Sequence, residues 1–516
     1  MASEFRNEPL TDFSRDENRR SMAQAIASVA EQLGRSYPLA IGGELVRKED
    51  AFTSVDPSDP ATVVGVFPKA DAEDADRAIE AAEAAFAEWQ HVPAAERAAI
   101  LFRCAEIIRD RKLEFAAWEC FEAGKNWVEA DADVAEAIDF LEFYGREAIR
   151  YGRGGRVTPM AGERNRLVYI PLGVGAVIPP WNFPLAIPLG MSSAPIAAGN
   201  TVVLKAAPDT PTVAWEYFKA MREAGLPPGV LNFLPGFGPT AGRALVAHPR
   251  TRFVNFTGSK QVGLEINERA AKAQSGQRWI KRVVTEMGGK DAIVVDAGAG
   301  LDTAVQGIVG SAFGYSGQKC SACSRAILHT DVYDEVAGRV VEEARRLRVG
   351  PAYDFETQVG PVINEAAVRK IMSYVEIGKR EAKLLTGGEG PKPGAGYFIP
   401  PTVFGDVPAD ARLSREEVFG PVLALTRARD FDEALRFAND TEYGLTGAVY
   451  SDNAQHVEQA ARTFHVGNLY FNRKCTGALV GAHPFGGFNM SGTDSKAGGF
   501  DYLLLFLQAK TISEKV

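Results

Sequence analysis

Four short stretches hold the residues that could do chemistry. Cys320 stands in Gly317-Gln318-Lys319-Cys320-Ser321-Ala322, among small and polar neighbours that make poor core companions. A thiol in a polar loop can act as a nucleophile, and a cation such as Lys319 pointing toward it would favour the thiolate. Glu286 opens Glu286-Met287-Gly288-Gly289-Lys290. A carboxylate there could act as a general base toward water or a thiol, and the paired glycines let other backbone or a ligand come close. Pro180-Trp181-Asn182-Phe183-Pro184 is a stiff loop able to present the Asn182 amide to a developing oxyanion. The segment from Phe256 through Gly258 and Ser259 to Gly263 joins a strand-like run to a helix, where backbone amides can bind phosphate. Taken singly, each admits a plainer reading: a buried thiol, a solvated carboxylate, a rigid turn, a helix cap formed by Ser259.

Apolar periodicity indicates the elements that must position these loops. Residues 1–37 read as a polar N-terminal arm with a helix at 15–33, followed by a strand-like piece at 39–46. Asp71 could cap a helix whose Ala75, Ile79, Ala82, Phe86 and Trp89 share one face. Pro93 opens a second, with Ile100, Leu101, Cys104, Ile107 and Ile108 on one face, and a third spans 134–149. From residue 167 strands at 174–178, 201–205, 230–234 and 253–256 alternate with helices at 212–224, at 240–247 and from Ser259. A further α/β stretch begins near Glu286, with strands at 292–295 and 324–328 around a helix at 301–313. This alternation predicts parallel sheets with crossover helices, which bind dinucleotides at the carboxyl ends of their strands. The apolar tail at 502–507 would be costly to expose, so a sheet or a subunit interface should cover it.

Composition narrows the class. The chain has 516 residues, 46% hydrophobic and 24% charged, which fits a soluble protein of two or more domains. A net charge of -9 and no basic block argue against nucleic acid or anionic membrane as partners. No stretch reaches the roughly 18 apolar residues of a membrane helix, and the charged N-terminus does not read as a secretory signal. Five scattered cysteines indicate a reducing, cytoplasmic setting rather than a disulfide framework. Cys320 and Cys323 form a lone CxxC pair and the six histidines show no ligand spacing, so no metal is expected.

Taken in order, IPPWNFP, VVLKAAPDTP, GFGPTAG, FTGSKQVG, EMGGK, GQKCSA, EEVFGPV and PFGGF resemble the aldehyde dehydrogenase superfamily over about residues 38–515. The resemblance implies an α/β fold: a Rossmann-type cofactor domain at 38–150 and 167–285, an α/β catalytic domain at 286–482, and a small β oligomerisation element at 151–166 and 483–516. It implies Cys320 as nucleophile, Glu286 as general base, and Asn182 with the Cys320 amide as oxyanion hole. Lys205 and Glu417 would meet the two cofactor riboses and Phe419 the nicotinamide. Ile178, Pro180, Trp181, Gly242, Gly258, Ser259 and Val262 would line the rest of the cofactor's path. NAD is the expected cofactor. NADP stays open, because Pro208, with Asp209 next, stands where NAD-specific members often carry a glutamate.

Residues 472–481 and 483–493 resemble the branch of that family acting on L-glutamate γ-semialdehyde. This implies oxidation to L-glutamate, in proline breakdown, through a cysteine thiohemiacetal and thioester. The alternative is a dehydrogenase for another semialdehyde, such as succinate semialdehyde. By resemblance the substrate's amino-acid end would meet Ser321, Gly477 and Ala478, its stem Phe183 and Phe485, and its ammonium Glu136, with Asp133, Asp139 and Glu142 close by in sequence. The small-molecule substrate would be the main partner, apart from a second copy in a homodimer or larger homo-oligomer.

Overall fold

The computed structural model describes residues 4–392 and 394–516. Two seven-stranded sheets organise it. The first runs Arg282–Glu286, Phe253–Thr257, Val174–Ile178, Thr201–Leu204, Leu231–Phe233, Leu39–Ile41, Glu44–Val46. Its first five strands are mutually parallel, and the last two join antiparallel at the edge. Counted along the chain, the parallel five stand in the order 5-4-1-2-3. The order therefore reverses between Val174–Ile178 and Phe253–Thr257, where Ile178 pairs with Phe256. Chain departing to opposite sides there leaves a crevice at the strands' carboxyl ends, the usual dinucleotide position.

The second sheet runs Lys383–Thr386, Thr402–Gly405, Val422–Ala428, Arg325–His329, Ala292–Val295, Thr446–Tyr450, Asn468–Phe471, parallel except for its first pair. Helices pack on these sheets, so central strands such as Val174–Ile178 and Ala292–Val295 are buried throughout.

Asp71 caps the Ala72–Trp89 helix in a reciprocal capping box with Asp74, and Pro93 precedes the Ala94–Asp110 helix as read from the sequence. Other elements depart from that reading. The piece at 39–46 is a hairpin, Leu39–Ile41 and Glu44–Val46, turning through Gly42 and Gly43 at φ 60° and 95°. The helix placed at 134–149 runs Trp127–Tyr151, capped by the Asn126 side chain. The helix placed at 240–247 is a wide turn, Gly238–Gly242, leading into Arg243–Ala247. The hairpin of Ala51–Asp56 and Asp59–Pro68 was not anticipated.

The apolar tail divides in two. Tyr502–Phe506 folds back into the core of the first sheet's domain, where Tyr502 OH accepts a hydrogen bond from Asn255 Nδ2 at 3.3 Å. Leu507–Lys515 then pairs antiparallel with Glu163–Pro171, a strand that runs across the 166/167 boundary. This two-stranded ribbon is largely exposed.

Candidate functional site

The Asn182 loop leaves the carboxyl end of Val174–Ile178, and Glu286 ends the edge strand Arg282–Glu286 of the same sheet. Cys320 arrives from the second sheet's side, after the Leu301–Phe313 helix. Tyr315 and Ser316 are left-handed at φ 50° and 54°, and Gly317 continues at 67°. Such backbone costs each non-glycine residue about 1–2 kcal/mol, so it persists only where contacts fix it. Tyr315 OH donates to the Ala123 carbonyl at 2.8 Å and Ser316 Oγ to Gly360 O at 2.7 Å. The Gln318 side chain is clamped to 361–363: its Oε1 accepts from Ile363 N at 2.8 Å and its Nε2 donates to Pro361 O at 3.3 Å. Asn182 Nδ2 donates to the Gln318 carbonyl at 2.9 Å. An amide has two N–H donors, so this bond orients Asn182 and leaves its second N–H available. Among the described residues the Cys320 backbone N–H has no acceptor.

The paired glycines after Glu286 have a geometric reason. A Cβ on Gly289 would lie 2.5 Å from the Cys320 carbonyl oxygen, and one on Gly288 would collide with the Glu417 carboxylate. Glu417 Oε1 accepts the Gly289 N–H at 3.1 Å. The loop thus holds the nucleophile's backbone and Glu417 closer than any side chain permits.

Charge at the site runs against easy thiolate formation. Burial, with the carboxyls of Asp291, Glu286, Glu417 and Glu136, pushes the Cys320 thiol above its ordinary range. Lys319 does not offset this, contrary to the role offered for it. Both Glu129 oxygens bind its ammonium, at 2.7 and 2.6 Å. Burial raises the Glu286 carboxyl to about 8, partly opposed by Ser495, whose Oγ donates to Glu286 Oε1 at 2.6 Å. Glu286 Oε2 has no partner among the described residues. The site therefore holds a thiol and a carboxyl that burial raises to about 8, with one carboxyl oxygen uncommitted.

The residues tied by resemblance to a cofactor gather along the carboxyl edge of the first sheet. Ile178 ends the first parallel strand and Pro180 and Trp181 follow it, Lys205 follows the second and Gly258 the fourth, while Ser259 caps the Lys260–Ala271 helix by accepting from Val262 N. Val262 itself is exposed. A Cβ on Gly242 would touch the Lys205 stem at 3.7 Å. Phe419, at φ 61° just before the second sheet's Val422–Ala428 strand, meets Trp181 edge to face at 5.6 Å. Burial lowers Lys205 to about 8, with Asp209 acting the other way. Its ammonium donates to Ala206 O at 2.9 Å and Gly236 O at 3.3 Å, leaving one N–H for a hydroxyl. A dinucleotide fits this edge. Asp209, next to Pro208, is bound by Asn364 Nδ2 at 2.8 Å.

Of the four acidic candidates on the Trp127–Tyr151 helix, Asp139 holds the N-terminal arm through Asn7 and the Glu8 amide, Asp133 pairs with Lys125, and Glu142 pairs with Arg109 and Arg146. Glu136 is left out of these pairings, and burial with the Asp133 charge raises it to about 8. Ser321 is buried, and its carbonyl accepts from Cys475 Sγ and Thr446 Oγ1, both at 3.4 Å. Cys475 thus joins Ser321 to the loop that carries Gly477, left-handed at φ 76°, and Ala478. Phe183 lies on Lys125, and Phe485 pairs through its backbone with Ala497. Sequence reasoning missed Ser495, Gln318 as a clamp, and Lys125. Ser495 stands 209 residues from Glu286 with no local pattern to mark it.

Residues 45–512 match the model of the aldehyde dehydrogenase family. The chain is 58% identical over 514 residues, all of both chains, to the 1-pyrroline-5-carboxylate dehydrogenase of Geobacillus thermodenitrificans. It superposes on a Thermus 1-pyrroline-5-carboxylate dehydrogenase with bound NAD at TM-score 0.98, with 52% identity and full coverage of both chains. On Staphylococcus aureus betaine aldehyde dehydrogenase the TM-score is 0.89, with 28% identity, over 95% of this chain and 96% of that one. The chain belongs to the aldehyde dehydrogenase family.

Proposed function

We propose that this protein oxidises L-glutamate γ-semialdehyde, the open form of 1-pyrroline-5-carboxylate, to L-glutamate with NAD, in proline degradation. Full-length similarity to enzymes of that name supports the reading. The observation that supports the substrate's identity is the Cys475 contact to Ser321, which ties the segment leading to Gly477 and Ala478 to the residue after Cys320. Amides at a left-handed glycine suit a carboxylate, and Glu136 is the acidic group left for an ammonium.

In this mechanism Cys320 loses its thiol proton to water, and the thiolate Sγ adds to the aldehyde carbon. The second N–H of Asn182 and the Cys320 N–H hold the oxyanion, and losing one such donor costs about 2.7–4 kcal/mol. Lys205 and the carboxyl edge of the first sheet would hold NAD, which would supply the hydride acceptor. The acyl group is left as a thioester on Cys320. Glu286, through Oε2, takes a proton from the water that hydrolyses it. The carboxylate form does this work, and burial keeps much of the group protonated at neutral pH.

Assembly and location follow from the same reading. The exposed ribbon of Glu163–Pro171 and Leu507–Lys515 is marginal alone, and exposed Met160 and Val516 flank it. It serves as the contact of a homodimer or larger assembly. No helix among the described residues is long and apolar enough to cross a membrane, and the enzyme is assigned to the cytoplasm. Initial rates with L-glutamate γ-semialdehyde against succinate semialdehyde, each with NAD and NADP, test the proposal. Preference for the first aldehyde with NAD supports it, and faster turnover of succinate semialdehyde overturns it.

A further inference from the structure

One lysine outside the set above has no exposure to solvent. The side chains of Lys125, Glu119 and Asp133 are all 0% exposed. Lys125 Nζ lies 2.6 Å from Asp133 Oδ2 and 3.4 Å from Glu119 Oε2. Asp133 Oδ1 accepts the N–H of Ala186, four residues beyond Asn182, at 2.9 Å. The same ammonium sits 4.0 Å from the centre of the Phe183 ring and 5.1 Å from that of Tyr315. Burial disfavours its charge, but the carboxylates beside it outweigh that and keep it protonated. Burial and the Asp133 charge push the Glu119 carboxyl up, while Lys125 pulls it the other way.

The two rings belong to the two loops that carry the proposed chemistry. Phe183 follows Asn182, and Tyr315 begins the left-handed run that leads to Cys320. A cation faced by two aromatic rings attracts both. Stability alone does not call for it, because apolar residues commonly replace buried ion pairs without loss. We propose that Lys125 is a positioning residue: its ammonium ties the loop of Asn182 and Phe183 to the turn before Cys320, and so sets the oxyanion donor against the nucleophile. This rests on the roles given above to Asn182 and Cys320.

The test is the double variant Lys125→Met/Asp133→Asn, which removes the cation together with the carboxylate nearest to it. The asparagine side-chain carbonyl introduced in place of Asp133 would still accept the Ala186 N–H. Four quantities are read: Tm, NAD affinity, kcat, and the rate at which iodoacetamide alkylates Cys320, located by mass spectrometry. A positioning role predicts Tm and NAD affinity near wild type. It also predicts kcat lower by about 10- to 100-fold, as displaced reacting groups produce, and slowed alkylation. Tyr315→Leu, which keeps the ion pair but removes one ring along with the Tyr315 OH bond to Ala123, should also lower kcat and slow alkylation, whereas Tyr315→Phe, which loses only that bond, should stay near wild type in both. Wild-type kcat and alkylation in the double variant would overturn the proposal, because charge balance would then be Lys125's whole role. If the double variant does not fold, wild-type kcat in Tyr315→Leu overturns it instead. Alkylation needs no aldehyde, so a wild-type enzyme inactive on the semialdehyde would reject the substrate assignment and still leave Lys125 judged by alkylation rates.

Discussion

Removing the Ser495 hydroxyl should shift the working range of Glu286 to more alkaline pH. Ser495 Oγ donates to Glu286 Oε1 at 2.6 Å and is the largest influence opposing the burial that raises this carboxyl to about 8. A hydrogen bond to a charged group is worth about 1.5–3 kcal/mol, and about 1.36 kcal/mol corresponds to one pH unit. Ser495→Ala should therefore move the midpoint up by about one to two pH units. The base is the carboxylate, so thioester hydrolysis falls as pH drops through the midpoint. At neutral pH the variant should hydrolyse the thioester about 10- to 100-fold more slowly and recover as pH rises. Stopped-flow NADH absorbance across pH separates the two chemical phases: the burst reports thioester formation, the steady phase its hydrolysis. The burst should persist while the steady-phase profile moves. A midpoint that stays in place, or moves toward acid, would refute the assignment of Glu286 as the hydrolytic base held in range by Ser495.

Other predictions follow from the same geometry. The Glu286 carboxyl is raised from 4.5 to about 8 by burial, so its contribution to stability is whole below its unfolded value and lost as pH rises through about 8. Glu286→Gln should thus gain on wild type in thermal melts between about pH 5 and pH 8, by at most about 5 kcal/mol. A flat difference across that range would count against a buried, titrating Glu286. Gly289→Ala drives a methyl group against the Cys320 carbonyl, 2.5 Å away, and should lower kcat about 100-fold with NAD affinity kept, as checked by steady-state rates and NAD titration. Lys205→Met should raise the KM for NAD about 10-fold with little change in kcat, the loss of one hydrogen bond. Deleting residues 507–516 removes one strand of the exposed ribbon and should reduce the mass seen by light scattering. An unchanged mass would exclude the ribbon as the assembly contact.

The parts of the fold legible in the sequence were those with one-sided or wholly apolar patterns. Val174–Ile178 and Ala292–Val295 are buried on both faces, so unbroken apolar runs marked them. Asp71 and Pro93 marked helix starts because their chemistry is local. The hairpin Ala51–Asp56 with Asp59–Pro68 mixes exposed and buried positions with bulges, and no clean alternation marked it. Within the site, Cys320, Glu286 and Asn182 could be named because each sits in a short motif. What sets their chemistry is long-range. Glu129 takes Lys319 from 190 residues away, Gln318 orients Asn182 across 136, and Ser495 reaches Glu286 across 209. Sheet pairing and helix packing bring such partners together, and no spacing in the chain records them. The Lys319 expectation failed for that reason: adjacency to Cys320 says nothing of where the ammonium finds its carboxylate.

The central claim is that Cys320 carries the acyl group and Glu286 releases it. The most direct measurement is intact-mass and peptide mass spectrometry of Glu286→Gln mixed with L-glutamate γ-semialdehyde and NAD. The account predicts one equivalent of NADH in a burst and a glutamyl thioester on Cys320 that persists. Undiminished steady turnover with no adduct on Cys320 would contradict it.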